Sequence, residues 1–228
     1  MSDTPYSTII VSGPDSFDFL QAQLTIDLQS LTSKTLIRSA WCNPKGRVIC
    51  MPYLTQDADS YFLTIPTELV DLVMQRLTLF RFRAKVEFEA RTATQKELGI
   101  ETTVDDWLLE NLRAGLPEIW LPQSEKFTPH MLNLDMLDIV SLDKGCYPGQ
   151  EIVARTHFRG SSKRRCLRFE STEPLSPGDK ISDGQRDVGE IVNAIGNDLL
   201  AIVPIDKKDV PLEVNSVVLR YIALPYVG

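Results

Sequence analysis

The stretch KGCYPGQE at residues 144–151 governs how the rest of the chain is interpreted. Proline suits the first turn of a helix, so Pro148 predicts a helix over residues 149–156. Glu151 would lie near the positive end of the helix dipole. Cys146 would then lie just before the helix N-terminus, where unpaired N–H groups stabilise an anion. The stretch therefore predicts a thiol that favours its thiolate form.

The neighbours of Cys146 favour access to its sulfur atom. Gly145 and Gly149 carry no side chain that would cover the thiol. Lys144 and Arg155 would add positive charge if they fold close to it. The alternative is that Cys146 is a small apolar residue in a turn, because free cysteines are often buried and inert. The spacing alone leaves both interpretations open.

The residues before this stretch predict an α+β fold. Apolar periodicity and β-rich runs indicate a strand, a helix and a β-hairpin, and then strand, helix, strand. The hairpin turn is Asn43-Pro44-Lys45-Gly46, whose proline and glycine suit a tight reversal. The predicted strands cover residues 8–11, 36–42, 48–54, 61–65 and 80–88, and the predicted helices cover residues 17–28, 66–77 and 104–112.

The residues after the stretch predict a second, smaller domain. Beyond Ser161, short strands alternate with turn pairs such as Pro177-Gly178, which is typical of a small β-barrel or sandwich. We therefore expect a domain boundary near Gly160, with one domain over residues 1–160 and the other over residues 161–228. Residues 91–103 have the polar, aperiodic sequence of a linker, and prolines between residues 117 and 129 predict irregular backbone.

Composition narrows the class of protein. Of the 228 residues, 43% are hydrophobic, so the chain is long enough to bury a large core. No apolar run approaches the roughly 18 residues that a membrane span needs. The four cysteines show no paired spacing, which fits a reducing compartment and argues against a cysteine-based zinc site. We expect a cytoplasmic protein without a membrane partner or a metal, since His130 and His157 also lack a metal-ligand spacing.

Positive charge is concentrated in one segment of an acidic chain. The net charge of -7 argues against general binding of nucleic acid. Between Glu151 and Glu170, however, there is no acidic residue, and the basic residues of this segment are Arg155, Arg159, Lys163, Arg164, Arg165 and Arg168. The segment is suited to hold an anion, and the alternative is a solvated strand and loop.

Residues 144–151 resemble the K-G-C-x-x-G-Q-E signature of the YgfZ-type folate-binding proteins, which are relatives of the glycine-cleavage T-protein. Flanking elements match that family in the same order. Residues 114–117 resemble its A-G-x-P turn, and residues 127–134 resemble its F-x-P-x-x-x-N-L element. Further matches are Gly13-Pro14-Asp15, Phe19-Leu20-Gln21, Lys45-Gly46-Arg47, Val153-Ala154-Arg155 and Phe158-Arg159-Gly160.

The resemblance implies both a fold and a function. The fold is a T-protein-like folate-binding domain that lacks one lobe, followed by a small C-terminal β-barrel. The function is to bind tetrahydrofolate or another folate and to support the maintenance or repair of iron–sulfur enzymes, including radical enzymes that modify tRNA. Those enzymes or their assembly machinery are the implied partners. The signature supplies the functional thiol of Cys146, together with Lys144, Gly145, Tyr147, Gly149, Gln150 and Glu151.

The resemblance also indicates which residues would contact folate. Trp107 and Tyr6 match aromatic residues that stack on it, and a flat ring gains from offset stacking. Arg155 and Arg159 would bind the glutamate tail, because arginine binds a carboxylate through two N–H groups. Asn133 belongs to the matching upstream element. For Trp107, burial in a helix core is the alternative.

Three departures from the family change what is expected. T-proteins carry a catalytic aspartate soon after the loop that corresponds to Lys45-Gly46, but residues 47–50 read RVIC, so we expect no active aminomethyltransferase. Arg113 stands where relatives carry an acid that contacts the pterin, so the usual folate pose would change around this residue. The segment between Glu89 and Trp107 replaces a second lobe, so the pocket would be more open or would be completed by a second copy of the chain.

Two other functions remain open at this point. One is an RNA-binding module that acts through residues 155–168 without folate, although the acidity of the chain argues against direct tRNA binding. The other is a one-carbon (aminomethyl) transferase that uses other catalytic groups.

Overall fold

The computed structural model describes residues 4–32, 35–160 and 162–226. These residues form two compact units, and neither unit is a single stretch of sequence. The first unit lies within Met1–Glu101, Ile119–Pro129 and Asp138–Ala154, and the second lies within Thr102–Glu118, His130–Leu137 and Arg155–Gly228. A division into two consecutive domains at Gly160 stays a prediction.

The first unit is built on a five-stranded antiparallel sheet. Its strands, in spatial order, are β2 (Ile37–Arg38), β5 (Tyr53–Asp57), β6 (Ser60–Pro66), β1 (Tyr6–Ser12) and β7 (Glu87–Thr92). A two-stranded sheet pairs β3 (Trp41–Cys42) with β4 (Val48–Cys50). The central strand β1 pairs with β6 on one side and with β7 on the other.

Two helices complete the core of this unit. They are α1 (Ser16–Gln21) and α2 (Val70–Arg81), and a 3-10 turn at Thr67–Leu69 precedes α2. Both helices bury apolar side chains in the same cluster as the strands. Full burial of such a side chain contributes about 1.5–3 kcal/mol, so this cluster is the main stabilising feature of the unit. Its members include Ile9, Leu20, Leu54, Ile65, Val73 and Leu77.

The predicted hairpin around residues 43–46 is present, but each arm is interrupted. β3 pairs with β4 next to the turn, and β2 pairs with β5 farther from it. Between these pairs, the N–H of Ser39 donates to the carbonyl of Pro52 over 3.0 Å. The break leaves short strands where the sequence predicts two continuous ones.

Two predicted elements differ from the structure. Helix α1 ends at Gln21, so Leu24 and Leu28 are buried from a loop and a short 3-10 turn. The strand predicted over residues 80–88 is wrong. Helix α2 continues to Arg81, and Phe82 then adopts a φ of 46° with 88% of its surface exposed, so β7 starts only at Glu87.

The second unit confirms the small β-barrel. Its strands close in the order β10 (Asp187–Ile195), β11 (Asp198–Pro204), β8 (Arg164–Ser171), β13 (Val217–Ile222), β12 (Leu212–Val214) and β9 (Lys180–Ser182). The predicted helix α3 (Val104–Arg113) begins with a Thr103 side chain that accepts the N–H of Asp106, and it contacts β10 and β11. None of the helices in the described part of the chain has the length and apolar character of a membrane span.

Candidate functional site

The signature forms a loop that leads into helix α4 (Gln150–Arg159). Gly149 has a φ of 80°, so the helix starts after it, and Pro148 lies in the preceding turn instead of in the first helical turn. The carbonyl of Gly149 accepts the N–H groups of Ile152 and Val153, each over 3.1 Å. Cys146 lies in the loop before this turn.

Cys146 is the accessible thiol of the chain. It is free and exposed, whereas the other three cysteines are free and buried. Burial raises the pKa of the Cys42 thiol and of the Cys166 thiol to about 12, so both remain protonated at neutral pH. Because the thiolate is the nucleophilic and metal-binding form, Cys146 is the cysteine best placed for thiol chemistry.

A cavity of about 570 Å³ lies beside Cys146 within the first unit. This volume is in the range of small-molecule sites, which are usually apolar with a few polar groups. The lining is of this mixed kind, because Leu142 and Ile152 are apolar while Gln150 and Glu151 are polar. The full lining is Pro44, Leu142, Cys146, Tyr147, Gly149, Gln150, Glu151, Ile152 and Ala154.

Lys144 is an anchor and does not line this cavity. Its Nζ donates to the carbonyls of Gln21, Leu24 and Ile26 over 2.6, 2.7 and 2.8 Å. These carbonyls lie at and beyond the end of α1, where no further helical N–H is available. Burial lowers the pKa of the Lys144 ammonium to about 8, although the negative charge of Asp27 opposes this shift. Lys144 therefore fixes the start of the signature on the first unit.

The other side chains of the signature support the loop. Tyr147 is buried, and burial raises the pKa of its hydroxyl. A methyl group at Gly145 would meet nothing within 4 Å, so this glycine lies in open space. The side-chain amide of Gln150 donates to the carbonyl of Lys144 over 3.5 Å, and Glu151 is exposed on the first turn of α4. The loop is thus held from inside while its outer face stays open.

Gly149 packs directly against the hairpin turn. A Cβ atom at Gly149 would lie 2.6 Å from the carbonyl oxygen of Asn43 and 2.6 Å from the Cα of Gly46. In the opposite direction, a Cβ at Gly46 would lie 3.0 Å from the Cβ of Ile152. The two glycines therefore allow the hairpin turn and the start of α4 to come into backbone contact, which brings Pro44 to the cavity.

A polar network that the sequence does not predict supports this turn. The side-chain oxygen of Asn43 accepts the N–H groups of Lys45 and Arg47, and its amide nitrogen donates to Glu125 over 2.7 Å. Arg76 binds the same carboxylate through two hydrogen bonds of 3.0 and 2.7 Å. Hydrogen bonds from Arg76 and Asn43 lower the pKa of Glu125. Asn43, Arg76 and Glu125 come from three distant segments of the sequence. No local sequence pattern therefore predicts the network.

The folate-contact candidates are distributed over both units. Tyr6, in the first unit, is fully buried, and its ring contacts those of Tyr53 and Trp120. Trp107 is half-buried on α3, and Arg155 is exposed on α4. Arg159 ends α4, but its side chain lies outside the described residues.

Two further candidates bind protein groups of the second unit. Arg113 donates two hydrogen bonds, of 3.1 and 2.8 Å, to Asp198. The side-chain amide of Asn133 donates to the carbonyl of Cys166 over 2.7 Å, and also to the hydroxyl of Tyr226 over 3.3 Å. Both residues therefore stabilise their own unit, whichever ligand the protein binds.

Three of the six basic residues in the segment bind other groups of the protein. Arg165 binds Asp135 through two hydrogen bonds, and Arg168 binds Asp198 in the same way. Arg164 donates to the backbone carbonyl of Val188. These three arginines are half-buried, whereas Arg155 and Lys163 are exposed.

Comparison with solved structures relates the fold to the T-protein. The glycine cleavage system aminomethyltransferase T from Bartonella henselae superposes with a TM-score of 0.74 over 98% of this chain and 84% of that chain, at 14% sequence identity. This identity is low enough that the likeness concerns the fold alone. The fold is the T-protein-like α+β fold with a small β-barrel.

Sequence comparison relates the chain to particular proteins. No family model matches the chain. A tRNA-modifying protein YgfZ of Aliivibrio fischeri is 28% identical over 97% of this chain and 90% of its own, and that of Colwellia psychrerythraea is 26% identical over 82% and 78%. An uncharacterized protein of Haemophilus influenzae is 27% identical over 99% and 97%. The chain is therefore similar to YgfZ-type proteins over most of its length, as its signature predicts, and its 228 residues are consistent with a shortened form.

Proposed function

We propose that this protein binds tetrahydrofolate or another folate and supports iron–sulfur enzymes, including radical enzymes that modify tRNA, with Cys146 as its functional thiol. The observation that carries the proposal is the exposed Cys146, which lines the 570 Å³ cavity. Relatives named as tRNA-modifying proteins support the link to tRNA modification. Iron–sulfur enzymes or their assembly machinery would be the partners, in the cytoplasm.

The residues of the chain fit a folate in part. Tyr6, Arg113 and Asn133 are occupied by protein contacts, so the usual set of folate contacts is reduced. Trp107 retains exposed surface for stacking, and Arg155 is exposed and able to receive a carboxylate. A folate would therefore depend on stacking and on its glutamate tail more than on hydrogen bonds to Arg113 and Asn133.

The signature residues around Cys146 would hold its sulfur in position and would not act as acids or bases. Lys144 and Tyr147 hold the loop from inside, and Gly149 holds it against the hairpin turn. Because the residues that hold the loop are buried, the sulfur of Cys146 is presented on a fixed backbone to whatever occupies the cavity. Such positioning suits a thiol that meets a partner protein or a bound ligand repeatedly in one geometry.

The RNA-binding alternative is weaker than the folate proposal. It requires a positive surface along residues 155–168, but Arg164, Arg165 and Arg168 are held by groups of the barrel unit. Non-specific binding of RNA depends on the number of phosphates that free cations neutralise. The pairing therefore lowers the expected affinity of this segment.

Calorimetric titration with tetrahydrofolate tests the ligand. We expect saturable binding, and we expect Trp107→Ala to weaken it about three- to tenfold, which corresponds to the loss of one aromatic stacking contact. Phe158→Ala is the matched control, because Phe158 is an exposed aromatic side chain that is not a folate-contact candidate. Absence of heat and of competition at millimolar tetrahydrofolate would contradict the proposal.

Complementation tests the thiol separately. In cells that lack their own YgfZ-type protein, we expect Cys146→Ser to fail to restore modified tRNA nucleosides, measured by mass spectrometry, while its tetrahydrofolate affinity stays within about twofold. Asp143→Asn, an exposed neighbour in the same loop, serves as the control and should restore them. Full restoration by Cys146→Ser would show that the thiol is dispensable.

A further inference from the structure

The fold brings the only two histidines of the chain together in the second unit. The ring centroids of His130 and His157 are 6.1 Å apart, and Asp135 lies beside them. Each of the three residues offers one ligand atom, and these atoms all lie within 4.8 Å of one another. The sequence does not predict this cluster, because the two histidines are far apart along the chain and follow no ligand spacing.

His130 is buried in a way that needs an explanation. Only 3% of its surface is exposed, and neither ring nitrogen has a hydrogen-bond partner within residues 4–32, 35–160 and 162–226. Its Nε2 is 3.8 Å from the Oδ2 of Asp135, which is too long for a hydrogen bond. A buried polar group without a partner costs about 1–3 kcal/mol, so the unsatisfied imidazole of His130 is suited to bind an ion held by these three side chains.

We propose that His130, Asp135 and His157 form a binding site for a divalent transition-metal ion such as Zn²⁺. Imidazole nitrogen suits zinc, nickel and cobalt, whereas Mg²⁺ and Ca²⁺ prefer oxygen ligands throughout. Two imidazoles and one carboxylate are a recurrent protein ligand set for zinc, with water in the remaining position. The site is independent of the proposed function, because neither folate nor Cys146 takes part in it.

The three ligand atoms would have to move slightly closer together to bind one metal ion. Ligands at 2.0–2.2 Å from a tetrahedral ion lie about 3.4 Å from each other. The 3.8 Å between His130 and Asp135 is close to this value. The remaining adjustment falls to His157, which is exposed near the end of α4 and can reorient without disturbing the core.

Arg165 holds two of the three ligands in position. It binds both carboxylate oxygens of Asp135 and also donates to the backbone carbonyl of His130 over 2.9 Å. Ligating carboxylates usually carry such outer hydrogen bonds, and an oxygen with two lone pairs can accept one while it binds a metal. The positive charge of Arg165 will also weaken metal binding, so we expect micromolar affinity instead of that of a structural zinc finger.

Zinc titration of the untagged full chain, labelled with ¹⁵N in histidine, tests the proposal. With two histidines in the chain, each imidazole gives its own set of ring resonances. We expect one ring nitrogen of each histidine to shift and to saturate at one Zn²⁺ per chain, and Mg²⁺ to have no effect. Unchanged resonances of His130 at saturating Zn²⁺ would overturn the proposal.

Variants separate this site from other zinc binding. We expect His157→Ala to raise the zinc dissociation constant at least about tenfold, because a ligand is lost. His157 is the first choice, since an exposed residue can be replaced without unfolding the unit. Glu173→Gln, which removes an exposed carboxylate of the same unit, should leave the constant unchanged. If Cys146→Ser abolishes zinc binding and His157→Ala does not, the thiol is the zinc ligand and the proposal is wrong.

Discussion

Single residues of the signature divide into one exposed group and a set of buried supports. Cys146 is open to solvent, while Lys144 and Tyr147 are buried beneath the same loop. The burial of Lys144 is tolerated because three carbonyls surround its ammonium group. We therefore expect substitutions of the residues around the thiol to act through the stability and shape of the loop, so such variants should be assayed for both stability and activity.

Lys144→Met is expected to destabilise the protein by about 2–4 kcal/mol, because it leaves the carbonyls of Gln21, Leu24 and Ile26 without their donor. Urea unfolding monitored by circular dichroism measures the change. Lys45→Met is the matched control, since Lys45 is exposed, and it should change the free energy of unfolding by less than about 0.5 kcal/mol. Equal effects of the two variants would show that the three hydrogen bonds are not stabilising.

Asp198 should contribute to the acid sensitivity of the barrel unit. Burial raises the pKa of its carboxyl, but hydrogen bonds from Arg113 and Arg168 outweigh burial and hold the pKa below its ordinary value of 3.8. The folded state therefore binds this proton less tightly than the unfolded state. The stabilisation is complete above the unfolded pKa and is lost as the pH falls through the folded pKa.

The prediction is a difference in stability that depends on pH. The gap in free energy of unfolding between wild type and Asp198→Asn should shrink as the pH falls from about 6 to about 3, in urea titrations at each pH. Leu200→Ala, a buried substitution without a titratable group in the same strand, should keep a constant gap. A constant gap for Asp198→Asn as well would exclude the ion pairs as its source.

At the scale of elements, the site depends on contact between two turns. The turn at Gly149 and the hairpin turn at Gly46 meet through backbone atoms, and the network of Asn43, Arg76 and Glu125 stabilises one side of this contact. Helix α4 starts at the contact, so its first turn and the cavity share one support. Disturbing the contact should affect folding and ligand access together.

Gly149→Ala is expected to destabilise the protein by about 2–4 kcal/mol. The added Cβ would require a residue with a side chain at a φ of 80° and would lie 2.6 Å from backbone atoms of the hairpin turn. Gly145→Ala is the control in the same signature, because nothing lies within 4 Å of its added Cβ. Chemical denaturation of both variants gives the comparison, and a Gly149→Ala protein as stable as Gly145→Ala would refute the packing argument.

The sequence predicts elements whose information is local. Helix α3 and the barrel strands follow from apolar periodicity and turn residues, and both are confirmed. The strand predicted over residues 80–88 fails because its alternating apolar residues include the end of α2 and the exposed Phe82. The signature loop is contiguous in sequence and can therefore be recognised from it, whereas Glu125 and the two histidines reach their partners only through long-range folding.

At the scale of the whole molecule, the two units differ in whether their sheets have edge strands with unpaired backbone groups. The barrel of the second unit closes on itself, so every strand has a neighbour on both sides. The sheet of the first unit is open, and β7 pairs only with β1 within the described residues while most of its side chains are exposed. Open edges exchange their amide protons more readily than paired interiors.

Hydrogen exchange measured by mass spectrometry should reveal this difference. Peptides that cover β11, which is buried and paired with both β8 and β10, should stay protected longest. Peptides that cover β7 should exchange well before them. The central strand β1 serves as the internal control for the first unit and should exchange more slowly than β7. Equal protection of β7 and β11 would indicate that another segment or copy covers the edge.

The interleaving of the two units has a consequence for biosynthesis. A ribosome delivers the chain in order, but α3 belongs with barrel strands that are translated much later, the last of which ends at Ile222. In the meantime, the chain must also supply Asp138–Ala154 to the other unit. During synthesis, α3 therefore emerges before the barrel strands that it contacts, and all segments of the first unit are already available when those strands appear. If the chain were divided at residue 160, the first piece would hold every segment of the first unit, whereas the second piece would lack Thr102–Glu118 and His130–Leu137 of its own unit. We therefore expect the second piece to be incomplete when it is expressed alone.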